Sequence, residues 1–129
     1  MIVDSSALVA ILRQEPDAQQ FSDVLHSAPA AAISAATVVE ISVVAGPTRH
    51  GDLDDLLTEA HMQVVAFDRE HALAAREAYA RFGKGSGSQA RLNFGDCLSY
   101  ALAKVTGRPL LFKGDDFTHT DVTAAYLPR

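Results

Sequence analysis

Short apolar runs alternate along the chain with longer segments whose apolar residues recur every three or four positions. The short runs are typical of buried strands, and the longer segments of amphipathic helices. The predicted strands are Met1–Val3, "AAAIS", "QVVAFD" and "LLFK", with a last edge strand in "DVTAAYL". Strands that alternate with helices favour a mainly parallel sheet covered on both faces, which is an α/β layered fold.

Capping residues and helix breakers set the expected helix boundaries. Asp4 or Ser5 can cap "SSALVAILR", Ser34 can cap "AATVVEISVVAG", and Asn93 can cap a helix over 94–105. Gly and Pro stop the second of these helices. Three more helices are predicted in "EPDAQQFSDVLHSA", in "LDDLLTEAHM" and over 69–82, where Tyr79 is expected to face the core. The Gly/Ser-rich stretch "GKGSGSQARL" predicts a flexible loop.

Composition limits the class of protein. The chain has 129 residues, 48% of them apolar and 21% charged, which predicts one globular domain over 1–129. There is no apolar run long enough for a membrane span and no basic start of a secretory signal, so a cytoplasmic location and no membrane partner are predicted. The single cysteine, Cys97, excludes an intramolecular disulfide and is expected to be a small buried residue.

The net charge of −5 is distributed unevenly along the chain. Residues 1–68 carry ten acids and two bases, whereas residues 69–113 carry three acids and eight bases. The basic segment has two interpretations, a binding surface for a polyanion or the solvated faces of helices. Charge alone favours the second.

Five acidic residues lie where a site could form. Asp4 follows the first predicted strand, and Asp115 and Asp116 follow the last clear one, so they are expected near the carboxyl edge of one sheet. Asp96 opens the helix that leads into that last strand. Glu40 lies among apolar neighbours in "TVVEISVV", where a buried carboxylate must reach water, bind a proton or meet a cation.

Taken singly, these acids have ordinary structural explanations as a helix cap, a capping box, a surface turn and an exposed helix face. Gathered at one edge, they would repel one another by on the order of several kcal/mol unless a cation neutralised them. Oxygen ligands select Mg²⁺ or Mn²⁺ rather than zinc, and the five histidines form no HExxH pattern. The combination therefore predicts a site for a hard divalent cation.

Four stretches taken together resemble one known family. "MIVDSSALVAIL", "TVVEI", "LNFGDCLSYALAK" and "PLLFKGDDF" are similar to PIN-domain ribonucleases, and specifically to VapC toxins of toxin–antitoxin modules. The resemblance covers almost the whole chain. It implies a three-layer α/β/α fold with a central, mainly parallel sheet, and cleavage of RNA phosphodiesters with Mg²⁺ or Mn²⁺. It also implies inhibition by a VapB-type antitoxin and a homodimer.

The resemblance also assigns roles to the acids. Asp4 matches the first metal ligand of the family, Glu40 the second acid and Asp96 the third. The fourth acid falls in "GDDF", where Asp116 is preferred and Asp115 is the alternative.

Three polar residues outside the acidic set have expected supporting roles. Ser6 matches a hydroxyl position that supports the first aspartate in the family. Lys84 and Arg91, in the Gly/Ser-rich loop, are candidates for contacts with RNA phosphates, although a simple role in solubility is an equal alternative. Two other functions are alternatives: a PIN-like module that binds RNA or protein without cutting it, and a phosphohydrolase with Asp4 as nucleophile. The second is disfavoured because position 6 is serine rather than aspartate.

Overall fold

The computed structural model describes residues 1–127, in which six α-helices surround a four-stranded sheet. The strands are β1 (Ile2–Val3), β2 (Ala32–Ser34), β3 (Gln63–Val65) and β4 (Leu110–Leu111). Their order is β3-β2-β1-β4, and every neighbouring pair is parallel. Because β1 lies inside the sheet, side chains that follow it are flanked by the ends of β2 and β4.

The helices follow the predicted order along the chain. They are α1 (Ser5–Leu12), α2 (Ala18–Ser27), α3 (Ala35–Ala45), α4 (His50–Glu59), α5 (Arg69–Phe82) and α6 (Phe94–Thr106). Short 3₁₀ turns occupy Pro47–Arg49 and Asp116–His119. The side chains of Asp4, Ser34 and Asn93 cap α1, α3 and α6, as the sequence predicted. Two of these caps, Asp4 and Ser34, are the residues at which the chain leaves a strand and enters a helix.

Alternate residues of each strand face opposite helical layers. Val3 of β1 packs in a buried cluster with residues of α1, α2, α3 and α4, whereas Ile2 packs with residues of α5 and α6. The same alternation separates Leu111 from Leu110 in β4. The predicted α/β/α layering is therefore confirmed. Within residues 1–127, every helix is too short or too polar to cross a membrane.

The last predicted strand is wrong. In "DVTAAYL" only Ala124 pairs with the sheet, through a single bridge to Leu110 of β4. Just before this bridge, Asp121 accepts hydrogen bonds from Tyr100 and Lys104 of α6, both at 2.7 Å. Asp121 is thus held against α6, and within residues 121–127 the pairing with β4 does not extend beyond this bridge.

The exposed face of α5 also differs from the expectation. Tyr79 is 48% exposed instead of facing the core, whereas Ala78 beside it is buried. Helix α5 packs closely on α6, and small alanine side chains permit that approach better than a tyrosine ring does. The loop that follows is closed at its base by a bridge between Gly83 and Leu92, so its ends lie together at the start of α6.

Candidate active site

Asp4 lies directly after β1 and is only 1% exposed. Its Oδ2 accepts two hydrogen bonds from Ser6, one from the backbone N–H at 3.0 Å and one from the hydroxyl at 2.6 Å. Its Oδ1 is buried and has no hydrogen-bond partner among residues 1–127. Burial raises the pKa of Asp4, and the hydrogen bonds from Ser6 offset part of that effect. An unsatisfied buried carboxylate oxygen is costly, and a cation would satisfy it.

Ser6 fixes this carboxylate relative to two strands. Its hydroxyl donates to Asp4 and accepts a hydrogen bond from the backbone N–H of Lys113, at 2.9 Å. In addition, the backbone N–H of Asp4 donates to the carbonyl of Leu111 in β4, also at 2.9 Å. The end of β1 is thus joined to the segment that carries Asp115 and Asp116.

Glu40 projects from α3, which begins where β2 ends. Its Oε1 is buried without a hydrogen-bond partner among the described residues. Its Oε2 rests against the backbone of Gly95 in α6, so closely that a Cβ at Gly95 would lie 1.5 Å from it. Burial raises the pKa of Glu40, and the negative charge of Asp4 raises it further, against a lowering effect of the Ser5 hydroxyl. Glu40 and Asp4 therefore share a poorly solvated space.

Asp96 occupies the first turn of α6, where it forms the predicted capping box. The N–H of Asp96 donates to Oδ1 of Asn93 at 2.8 Å, and the N–H of Asn93 donates to Oδ2 of Asp96 at 2.9 Å. Burial is the main cause that raises the pKa of Asp96 to about 7, and the charges of Asp4, Asp116 and Glu40 raise it further. Because electrostatic effects weaken with distance, Asp4, Glu40 and Asp116 lie close enough to Asp96 for their charges to act on it.

Asp116, rather than Asp115, is grouped with the other acids. Asp116 is among the charges that raise the pKa of Asp96, and Asp115 is not. Both side chains are exposed. Asp115 precedes the 3₁₀ turn, where its carbonyl accepts hydrogen bonds from the N–H and the hydroxyl of Thr118, at 3.0 and 2.6 Å.

The four carboxylates form an open group rather than a closed cage. Among residues 1–127, no three His, Cys, Asp or Glu side chains are arranged so that together they could hold a metal ion. The two buried oxygens without partners, on Asp4 and Glu40, are nevertheless hard ligands of the kind that Mg²⁺ and Mn²⁺ prefer. The donor set therefore fits a hard divalent cation, provided that the carboxylates draw closer together around it.

Sequence reasoning missed two buried hydroxyl groups behind the acids. Thr37 and Ser99 are both buried, and their hydroxyl oxygens lie 3.3 Å apart. The Ser99 hydroxyl lies near Asp4 and lowers its pKa, without completing a hydrogen bond to the unpaired oxygen. The spacing of Ser99, three residues after Asp96 on one helix face, was the available signal.

Lys84 and Arg91, the two predicted phosphate contacts, lie in the loop that precedes Asp96 in the sequence. Lys84 and Arg91 are exposed, and the described residues contain no ion pair to either of them. The N–H of Lys84 donates to the carbonyl of Leu92 at 3.1 Å, which closes the loop next to Asn93, the cap of α6. The structure thus brings the base of this loop to the helix end that carries Asp96, and gives the two cations no contact with the acids.

Lys113, between β4 and Asp115, is already paired. Its ammonium group donates to Glu15 at 2.9 Å and to Asp17 at 3.0 Å. These two carboxylates raise the pKa of Lys113.

Comparisons with known proteins agree with this geometry. The chain matches the PIN domain family over residues 1–122. It is 46% identical over 129 residues to the VapC ribonuclease Mb2780c of Mycobacterium bovis, covering 97% of this chain and 98% of the relative. It is 49% identical over 129 residues to ribonuclease VapC28 of Mycobacterium tuberculosis, covering 97% of each.

Solved structures agree at the level of the fold. One is a toxin–antitoxin complex from Klebsiella pneumoniae, with a TM-score of 0.71, 17% identity and 97% of each chain covered. Another is VapBC2 from Rickettsia felis bound to a DNA fragment from their promoter, with a TM-score of 0.72, 15% identity and 95% of each chain covered. The match to the family and the high identity to full-length relatives together place this chain in the PIN-domain family, among its VapC proteins.

Proposed function

We propose that this chain is an endoribonuclease that requires Mg²⁺ or Mn²⁺. The observation that carries the proposal is the convergence of four carboxylates at the end of β1, where Asp4 and Glu40 each keep a buried oxygen without a partner. A protein gains no stability from such an arrangement, because each charge makes the next harder to bury. A cation bound among the acids would remove that cost. The names of the curated relatives, which are called ribonucleases, support the same reaction.

Asp4, Glu40, Asp96 and Asp116 would hold the ion, with Asp115 as the alternative to Asp116. When bound, a divalent cation lowers the pKa of a coordinated water and shields the charge that develops on the attacked phosphate. Asp96 must lose its proton to act as a ligand, and its pKa of about 7 makes that step dependent on pH near neutrality.

The remaining residues would orient the acids and handle the proton. Ser6 holds Oδ2 of Asp4, which leaves Oδ1 free to meet the ion. Glu40 or Asp116 would orient the attacking water or accept its proton, because both carboxylates face the region of Asp96. Burial raises the pKa of Glu40, which makes its carboxylate a stronger proton acceptor than a solvated one.

The acidic edge cannot attract an RNA backbone by itself. Lys84 and Arg91 are exposed cations in the loop that leads into α6, so they would contact phosphates of the bound RNA.

We also propose that the enzyme acts in the cytoplasm as a toxin, is inhibited by a VapB-type antitoxin and forms a homodimer. The similar solved structures are titled as a toxin–antitoxin complex and as VapBC2, which supports a protein partner. Large exposed apolar side chains, including Val43 at 75% and Phe94 at 78%, are of the kind that protein interfaces cover.

A second candidate is a PIN-like module that binds RNA or protein without cutting it. One observation favours it: within residues 1–127, the acidic side chains are not yet arranged to hold a metal ion. The two candidates differ in whether the isolated protein binds Mn²⁺ and cuts RNA.

The test uses the purified protein, free of any partner, with a structured RNA in buffers containing Mg²⁺, Mn²⁺ or EDTA. We expect cleavage with either metal and none with EDTA. Asp4→Asn and Asp96→Asn should abolish cleavage while the circular dichroism spectrum persists, and Asp55→Asn, on the exposed surface of α4, should cut normally. Cleavage by either active-site variant at the wild-type rate would contradict the proposal.

A further inference from the structure

We propose that Gly95 is a positioning residue for Glu40, because the missing side chain at this position is the space in which the Glu40 carboxylate lies. This inference rests on the ribonuclease function proposed above, in which Glu40 is one of the acting acids. Gly95 directly precedes Asp96, so the contact places the Glu40 carboxylate against the turn of α6 that carries Asp96.

The contact is too close for any other residue. A Cβ built on Gly95 would lie 1.5 Å from Oε2 of Glu40, 2.4 Å from its Cδ and 3.0 Å from its Oε1. The whole carboxylate therefore rests on the backbone of α6, with no room for a methyl group between them. Oε1, one of the two buried oxygens without a partner, is held at this same spot.

The backbone itself does not require glycine here. Gly95 lies within α6, and its φ is outside the left-handed region that favours glycine. Alanine is a better helix former than glycine, so glycine at this position costs the helix stability. The contact with Glu40 therefore explains why glycine occupies position 95, which the local helical structure does not.

The nature of the neighbour decides what a methyl group would do. At Gly83, an added Cβ would meet the backbone carbonyl of Tyr79 at 2.3 Å, and a backbone carbonyl cannot move aside easily. At Gly95 the obstacle is the far end of a flexible glutamate, which can rotate away. Gly95→Ala should therefore leave the fold intact and displace only the carboxylate of Glu40.

The experiment compares Gly95→Ala, Glu40→Ala and the double variant with Gly51→Ala as matched control. Gly51 is an exposed glycine of α4, and a Cβ there meets nothing within 4 Å. We expect Gly95→Ala to lower kcat/KM for RNA cleavage by about tenfold or more, because ångström-scale misplacement of a catalytic group costs up to about a hundredfold. Its melting temperature should be no lower than that of the wild type, and its Mn²⁺ affinity, measured by electron paramagnetic resonance, should fall.

The effect of Gly95→Ala should depend on the presence of the Glu40 carboxylate, whereas a purely structural role of Gly95 would not show this dependence. With the Glu40 carboxylate already removed, Gly95→Ala should change neither the cleavage rate nor Mn²⁺ binding. Multiplicative effects of the two substitutions, or a loss of folded structure in Gly95→Ala alone, would show that Gly95 acts on the fold and would overturn the inference.

The outcomes separate this inference from the function on which it rests. If the wild type cuts RNA and Gly95→Ala matches its rate and its Mn²⁺ affinity, the inference fails and the proposed function stands. If the wild type neither binds Mn²⁺ nor cuts RNA, the proposed function fails, and the inference fails with it.

Discussion

Replacing Asp96 by asparagine should make the metal-free protein more stable at alkaline pH, although it destroys the proposed activity. The substitution removes a charge that is partly buried beside Asp4, Glu40 and Asp116. It keeps an oxygen that can accept the hydrogen bond from the N–H of Asn93, so the capping box survives.

The magnitude follows from the pKa of Asp96, which is about 7 against an ordinary value of 3.8. Each pH unit between these values corresponds to about 1.4 kcal/mol, so full burial would cost about 4 kcal/mol. Because the carboxylate is partly exposed, solvent screening reduces this, and we expect about 2 kcal/mol.

The direction with pH follows from where the proton is bound. Between about pH 4 and about pH 7 the folded protein retains a proton on Asp96 that the unfolded chain has released. The free energy of unfolding therefore falls as the pH rises through this window. Burial raises the pKa values of Asp4 and Glu40 as well, so these residues contribute in the same direction.

The assay is urea unfolding in EDTA, followed by circular dichroism, for the wild type, Asp96→Asn and the surface control Asp55→Asn. The advantage of Asp96→Asn should grow from near zero at about pH 4 to about 2 kcal/mol at about pH 8. Adding Mg²⁺ should reverse the order, because a ligand that binds only the folded state stabilises only the protein that binds it. Equal unfolding free energies for Asp96→Asn and the wild type at about pH 8 in EDTA would refute the electrostatic reasoning.

Two further predictions concern the residues around the acids. Ser6→Ala should slow cleavage by about tenfold with an unchanged circular dichroism spectrum, because a hydrogen bond to a charged group contributes about 1.5–3 kcal/mol. Ser6→Thr keeps the hydroxyl and should retain most of the wild-type rate. Equal rates for Ser6→Ala and the wild type would contradict the role of Ser6. The double variant of Lys84 and Arg91 to alanine should weaken RNA binding at low salt and reduce the salt dependence of log K by about 0.7 per lost contact. The rate at saturating RNA should not change, and Arg69→Ala, an equally exposed arginine of the basic segment, should have the smaller effect on binding.

Much of the fold could be predicted because local signals were consistent. Asp4, Ser34 and Asn93 cap helices where the pattern of apolar residues begins, so helix positions followed from sequence alone. Strand lengths did not, since pairing with neighbours decides where a strand ends. The prediction that Tyr79 faces the core was wrong. Helical spacing identifies which residues share a face of α5, whereas the packing of α5 on α6 determines how much of that face is buried.

The acidic residues of the candidate site could be predicted from the sequence, but the residues packed around them could not. Asp4 caps α1, Asp96 completes the capping box of α6, and both belong to the acidic group, so the ordinary explanation and the functional one apply to the same side chains. The fit of Glu40 against Gly95 joins two helices that are far apart in sequence, and no local pattern encodes such a contact.

The pairing of Lys113 has a consequence for the direction from which a nucleic acid can approach. This lysine stands nearest in sequence to Asp115, yet Glu15 and Asp17 already neutralise its ammonium group. Lys113 therefore offers no free positive charge beside the acidic residues, whereas Lys84 and Arg91 form no ion pair within residues 1–127. A polyanion that approaches the acidic residues would therefore be attracted by the loop at 83–92 rather than by Lys113.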